Sequence, residues 1–473
     1  MTPADEVNRL TAILKRQREA FLRDGPPSLT ARRANLKRLK QAILARENDF
    51  AAALNQDFGH RSTEESLLFD VASTVASINY LHRNLARFMR PEVRDVAWIF
   101  KPARNRVIYQ PRGVVGIMSP WNYPIGLALI PLATALAAGN RAMLKPSEFV
   151  PETSALTASM IGATFAEEEV AVATGDAKIG SAFSALPFDY LLFTGSIPVG
   201  KAVMRAASDN LVPVTLELGG KSPVIIDRGY DLKTAAHRIA YGKLANGGQT
   251  CVAPDYVLAP EEDVEAFAAA FSEEAERLYP NIAENPDYTW IVSDHHFARL
   301  SGLLDDAKTK GARVIDIGGR RTDGTAPQSR LFLPALVLGA TDEMKVLQEE
   351  IFGPILPVLP YKTLEDAVAY VNARPRPLAL YYFGPNGPGR RFVLERTTSG
   401  NVSINDTVLH YAQEDLPFGG VGLSGMGAYH AREGFRSMSH AKGVFEQARF
   451  NLTDLLRPPY GKVFDFLLRW NLR

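Results

Sequence analysis

The sequence predicts an α/β protein with parallel sheets in two successive regions, and three observations predict it. Short β-branched runs alternate with helix-length segments from about residue 114 onward. Several of these runs end near a glycine and pass into less apolar sequence, which is how βαβ units read. At 473 residues the chain is also too long for one simple core, so two or three domains are expected.

The elements follow in order. Apolar residues recur at helical spacing across residues 30–58 (Leu36, Leu39, Ile43, Phe50, Leu54), and Gly59 reads as the stop. Residues 64–88 read as a second long helix. Val107 to Gln110 and Val114 to Met118 read as strands joined by a turn at Pro111 and Gly113. A buried helix interrupted by Pro131 spans residues 125–138. Strand candidates then fall at residues 141–144, 170–173 and 190–193, with a helix over 152–165. A second alternating region begins at Leu216 and runs through Val224, the helix near 235–244 and the strand 256–258.

Composition narrows the function. Lys and Arg number 53 against 52 Asp and Glu, so no basic field awaits nucleic acid, and a small-molecule substrate is expected. The apolar fraction is 46% and the charged fraction 22%, the balance of a water-soluble globular chain. The charged N-terminal stretch has no secretory pattern and no run reaches the length of a membrane helix, so a cytoplasmic location is expected. In the tail, Val463, Phe464, Phe466, Leu467, Leu468 and Trp470 are interspersed with charges. An interfacial amphipathic helix is one reading of it. Docking on the protein itself or on a partner subunit is the favoured one.

Four local patterns carry chemistry. The single cysteine, Cys251, follows Asn246-Gly-Gly-Gln-Thr250, a loop whose two glycines suit a close backbone approach to a ligand. A nearby cation or helix N-terminus would lower its pKa and make it a nucleophile. Glu217 ends an apolar strand before Gly219 and Gly220, where desolvation would raise its pKa and suit it to act as a base. Asn122, on the proline-stiffened loop Ser119-Pro-Trp-Asn-Tyr-Pro124, offers an amide donor for an oxyanion. Lys145-Pro-Ser-Glu148 and Thr194-Gly-Ser196 follow strands where a nucleotide's ribose and phosphates could bind. Each also has an ordinary reading, as a core cysteine, a surface glutamate or a turn, and no G-x-G-x-x-G fingerprint is present. No His/Cys cluster shows metal-ligand spacing, so no metal is expected.

Taken together, these motifs resemble the aldehyde dehydrogenase superfamily. The carriers are Pro120-Trp-Asn-Tyr-Pro124, Lys145-Pro-Ser-Glu148, Phe193-Thr-Gly-Ser196, Glu217-Leu-Gly-Gly-Lys221, Gly248-Gln-Thr-Cys251, Glu350-Ile-Phe-Gly-Pro354 and Pro417-Phe-Gly-Gly420. The resemblance spans about residues 30–450 and implies two doubly wound parallel-sheet domains, a Rossmann-like cofactor domain and a catalytic domain, plus a β-strand oligomerisation arm. The boundaries it implies are 1–95 and 113–215 for the cofactor domain and 216–405 for the catalytic domain. Residues 96–112 and 406–450 would form the arm and bridging segments, and 451–473 a C-terminal tail.

By the same resemblance Cys251 adds to the aldehyde carbon, Asn122 and the Cys251 amide form the oxyanion hole, and hydride leaves to a nicotinamide. Glu217 then activates water against the thioester. Lys145 and Glu148 match the adenosine-ribose pair, Gly195 and Ser196 the pyrophosphate turn, Glu350 the nicotinamide-ribose carboxylate, and Phe352 the residue beside the ring. Glu148 would repel a 2′-phosphate, which implies NAD, with NADP possible. The presence of Glu217 favours a free carboxylic acid product. The remaining alternatives are a coenzyme A-acylating dehydrogenase, a cofactor-free thiol hydrolase and a silent homologue.

Gly247-Gly-Gln-Thr-Cys-Val-Ala-Pro-Asp-Tyr256 resembles the dimeric branch acting on fatty and aromatic aldehydes. Residues 56–60, 206–215 and 413–419 look most like bacterial coniferyl aldehyde dehydrogenases. A homodimer is implied, through strands near Ile99 to Gln110 and Lys442 to Phe450. Tyr123, His410, Tyr411 and Phe418 lie near the matched loops and are candidates for an aromatic channel.

Overall fold

The computed structural model describes residues 3–319, 330–451 and 453–472. Positions 1, 2, 452 and 473 of the expected end segments, and 320–329 of the second region, lie outside the described residues. The fold is α/β, with a six-stranded, a seven-stranded and a three-stranded sheet.

In the six-stranded sheet the order is Gly425–Met426, Val214–Leu218, Tyr190–Gly195, Val114–Met118, Arg141–Lys145, Val170–Val172. All pairs are parallel except the short outer strand Gly425–Met426. The chain starts at the centre with Val114–Met118, fills one side, then returns to fill the other. The two directions of winding part between Val114–Met118 and Tyr190–Gly195. Val114–Met118 is buried at every position, as a strand covered on both faces must be. The helix Gly126–Ala138 covers it and is likewise buried throughout, with Pro131 accommodated inside.

Residues 216–218, expected to open the second region, instead belong to this first sheet, because Leu216 and Glu217 pair with Phe193 and Thr194. Periodicity marks a strand but not its partner. The seven-stranded sheet begins at Pro223–Ile226. Its order is Arg313–Asp316, Ala335–Leu338, Ile355–Tyr361, Tyr256–Pro260, Pro223–Ile226, Ala379–Phe383, Asn401–Ile404, parallel apart from the first strand.

One other expectation shifts. The helix expected over 30–58 is two helices, Leu29–Leu44 and Glu47–Phe58, with the break at Ala45 and Arg46. Ile43 and Phe50, on either side of the break, are both fully buried. The strands on either side of the turn at Pro111 and Gly113 lie in different sheets, because Arg104–Pro111 pairs antiparallel with Glu92–Arg94 and Ser439–Glu446 in the three-stranded sheet. Gly113 turns the corner at φ +142°, where a Cβ would lie 2.3 Å from the Asp189 carboxylate.

Candidate active site

Three loops leave the carboxyl end of the six-stranded sheet side by side. They follow Met118, Lys145 and Gly195, whose strands are neighbours in register, and the Ser119 amide donates to the Lys145 carbonyl at 3.1 Å. This is the crevice at the point where the winding reverses, the usual ligand position in open α/β sheets. A cavity of about 240 Å³ opens there, lined among others by Trp121, Asn122, Gly195, Ser196, Glu217, Cys251, Glu350 and Phe352.

Of the nucleotide candidates Gly195, Ser196, Glu350 and Phe352 line this cavity, whereas Lys145 and Glu148 lie outside it on the neighbouring loop. Lys145 is buried, its Nζ donates to the Pro146 carbonyl at 2.7 Å and lies 3.6 Å from the exposed Glu148 carboxylate. Burial lowers its pKa. Gly195 leaves room only for a hydrogen, since a Cβ would meet the Phe193 ring at 2.6 Å. Ser196 begins the helix Ile197–Ser208 without a side-chain cap, and the buried Thr194 hydroxyl beside it has no partner. An uncapped helix start with an orphaned hydroxyl suits a phosphate group. Glu350 lies against Gly219, where a Cβ would fall 2.0 Å from its carboxylate, and burial pushes it up to about 8. The Phe352 ring stands edge-on to Trp121 at 5.4 Å.

Cys251 lies beyond the helix Leu232–Leu244, after a tight turn in which Asn246, Gly247 and Gly248 are all left-handed. The glycines were expected to admit a ligand, but they admit other backbone. A Cβ on Gly248 would lie 2.4 Å from the Gly353 carbonyl, and one on Gly247 2.7 Å from Thr289. Gln249 then ties the turn with bonds to the Asn246 carbonyl (2.9 Å), the Trp290 carbonyl (3.0 Å) and the Val292 amide (3.0 Å). Asn122 joins this loop, its Nδ2 donating to the Gln249 carbonyl at 3.0 Å. One N–H of the same amide group remains for a ligand.

Burial, then the carboxyl groups of Glu350 and Glu217, push Cys251 up to about 12, so the cofactor-free site holds a thiol rather than a thiolate. A cation or a helix N-terminus would lower it; two acids act on it instead. Burial also raises Glu217 well above the carboxylate range, and both its oxygens are buried without a partner.

A second cavity, of about 430 Å³, reaches Cys251 from the other side. Its walls are mostly apolar, among them Leu68, Phe69, Ala72, Ala76, Tyr123, Tyr241, Val408 and Tyr411. Of the described lining residues, only Leu127 and Cys251 belong to both cavities. Tyr123 and Tyr411, singled out in the sequence, line this apolar cavity, and Phe418 lines the first, which is the more polar of the two although its wall is also mostly apolar. His410 stands behind, bonded to the Ser403 hydroxyl at 2.9 Å and stacked on Phe418.

Sequence reasoning passed over the residues that pin the loops. Lys221 pairs with Asp255 and donates to the carbonyls of Val346 and Glu349, each at 2.9 Å. Arg299 donates to the carbonyls of Glu350 (3.1 Å) and Ile351. Lys221 sat within a quoted motif; for Arg299 no signal was available.

The chain matches the aldehyde dehydrogenase family over residues 3–444. It is 52% identical to a probable coniferyl aldehyde dehydrogenase of Caulobacter vibrioides, covering 95% of this chain and 94% of the relative. The chain belongs to the aldehyde dehydrogenase family. It is 48% identical to the coniferyl aldehyde dehydrogenase of a Pseudomonas species, covering 97% and 95% of the two chains. The substrate-bound structure of Staphylococcus aureus AldH superposes with a TM-score of 0.92 at 36% identity, over 98% of this chain and 99% of that one. As an aldehyde dehydrogenase, the protein oxidises an aldehyde with NAD(P).

Proposed function

We propose that the protein oxidises an aromatic aldehyde of the coniferyl aldehyde type, or a long-chain aliphatic one, to the free acid, with NAD preferred over NADP. The observation that carries this is the meeting of two unlike cavities at Cys251. The apolar cavity suits a flat or chain-like apolar aldehyde. The names of the relatives favour the aromatic choice.

The first cavity and the neighbouring loop after Lys145 would together hold a dinucleotide. Gly195 and Ser196 would hold its pyrophosphate, Lys145 and Glu148 the adenosine ribose, and Glu350 the nicotinamide ribose, with Phe352 beside the ring. Glu148 would repel a 2′-phosphate. When bound, the nicotinamide supplies the hydride acceptor. As the Cys251 thiol passes its proton by way of the Glu217 carboxylate to solvent, Sγ bonds to the aldehyde carbon, and the oxygen's developing charge is met by the Asn122 amide and the Cys251 backbone N–H. Glu217, with no protein partner for either oxygen, is free to bond a water and take its proton as that water attacks the Cys251 thioester.

Ser439–Glu446 is the outer strand of the three-stranded sheet, largely exposed and with one edge unpaired, which suits it to join a second copy in a homodimer. No helix among the described residues is long and apolar enough to cross a membrane, and a cytoplasmic enzyme is proposed. The tail helix Lys462–Asn471 exposes Val463, Phe466 and Trp470, while Trp470 packs edge-on against Trp98 at 4.4 Å. Docking on the arm is therefore preferred to membrane contact.

The test is NADH formation with a panel of aliphatic and aromatic aldehydes, with and without coenzyme A. Aromatic substrates should give the highest kcat/KM without coenzyme A. Absence of NADH with every aldehyde would overturn the reading, and a strict need for coenzyme A would replace the free acid by a thioester product.

A further inference from the structure

Three ionisable residues of one short segment hold both loops that meet at Cys251. Arg61 is fully buried and donates to the Asn122 carbonyl at 3.0 Å and to Asp70 at 2.8 Å. Asp70 in turn accepts the amides of Ile125 (3.1 Å) and Gly126 (2.9 Å), at the start of the helix that follows Asn122. Glu65 takes the other loop. Its two oxygens accept the Asn246 N–H at 3.2 and 3.0 Å, and Oε2 also accepts the Thr289 hydroxyl at 2.8 Å.

Asn246 passes this hold on. It is left-handed at φ +52°, a conformation that asparagine tolerates better than most non-glycine residues. Its Nδ2 donates to the Asn122 carbonyl at 3.0 Å and to the Gln249 carbonyl at 3.3 Å. The Gln249 carbonyl is the one that orients the Asn122 side-chain amide. Glu65 therefore sits one residue away from both contacts that aim that amide.

We propose that Glu65 is a positioning residue, which through Asn246 fixes the Asn122 amide as oxyanion donor. This rests on the reaction proposed above. The hold is pH-sensitive. Burial raises the Glu65 carboxyl to about 7, while the Thr289 hydroxyl, Arg61, the Asn246 amide and the Tyr279 hydroxyl each pull it down. Tyr123, Tyr241, Tyr279 and Tyr288 also face it, and all four are raised above the ordinary tyrosine range. They stay neutral near pH 7, so Arg61 is the charged neighbour. When Glu65 gains a proton, one of its oxygens becomes a donor and the Asn246 N–H keeps a weaker acceptor.

The experiment compares wild type, Glu65→Gln, Glu65→Ala and Thr289→Val by the pre-steady-state rate of NADH formation from pH 5.5 to 9, with the NAD Kd titrated separately. Glu65→Ala should slow that rate about tenfold or more, since small displacements of a catalytic group cost that much. NAD affinity should stay within about twofold, because Glu65 lies outside the polar cavity. Glu65→Gln should stay closer to wild type and lose the limb near pH 7. Thr289→Val, which removes a donor, should move that limb to higher pH. A wild-type rate and unshifted limb in Glu65→Gln would overturn the proposal, as would a loss matched by equal loss of NAD binding. If Glu65→Ala does not fold, the limb positions in the other two variants decide. Absence of wild-type NADH formation would instead defeat the dehydrogenase reading itself.

Discussion

The two cavities flanking Cys251 are built in opposite ways. The polar one is framed by loops at strand ends that side chains nail to neighbouring backbone, as Lys221 and Arg299 do for the Glu350 segment. It also keeps orphaned polar atoms at Thr194 and Glu217. The apolar one is walled by side chains from the 68–76 segment, the helix Leu232–Leu244 and the 408–412 loop, with few polar groups turned inward. The difference teaches a division of labour. A cavity with fixed loops and unpaired polar atoms suits one ligand with many hydrogen bonds. A cavity of packed apolar walls sorts ligands by shape, where each methylene is worth only about 1–3 kcal/mol.

The largest expected effect lies where the cavities meet. Cys251→Ser should lower turnover by roughly three orders of magnitude or more while NAD binding persists, because only the nucleophile is changed. Retained turnover would show that the junction is not the reacting point. On the polar side, Glu217→Gln should give a burst of NADH near one equivalent per site and then a steady rate down by about 10²-fold or more. Steady turnover without a burst would take the water-activating role from Glu217. Glu350→Ala should weaken NAD by roughly 10–100-fold, the worth of a charged hydrogen bond, with aldehyde selectivity unchanged.

On the apolar side, Ala76→Phe should narrow the channel and cut kcat/KM for aromatic aldehydes by about tenfold relative to acetaldehyde. An equal loss for both would mean that the cavity does not sort substrates. The smallest effect is on pH. Glu217 and Glu350 have raised pKa values in the folded chain and the buried His296, His410 and His430 lowered ones, so from about pH 6.5, where unfolded histidines lose their protons, up to about 8 the folded state binds more protons than the unfolded one. Stability is thus fullest at the acid end of that range and declines as pH rises. The melting temperature of the cofactor-free protein should fall by a few degrees from about pH 6.5 to 8, and Glu350→Gln should flatten that slope. Alkylation of Cys251 should likewise keep rising beyond pH 9, with no plateau near neutrality, since burial and two acids hold the thiol up.

How much was legible differs between these same regions. The polar cavity could be read because its residues sit in short motifs at strand ends, where local spacing carries the chemistry. Asn122, Gly195, Ser196, Glu217, Cys251, Glu350 and Phe352 do line one cavity. The apolar walls could not be read, since an apolar residue on a helix looks the same whether it faces a core or a channel. Tyr123 and Tyr411 were found through their nearness to motifs; Leu68, Ala72 and Ala76 had no such marker.

The amino-acid sequence by itself determined the α/β class and the strand–helix alternation, because hydrophobic periodicity is a local property. It also placed the reactive residue types in order along the chain. Only the tertiary structure decided that residues 216–218 belong to the first sheet. It alone placed Glu65 on Asn246, a contact across 181 positions. It alone decided the state of the Cys251 thiol, because a thiol's pKa is set by the burial and charges that the whole fold assembles around it.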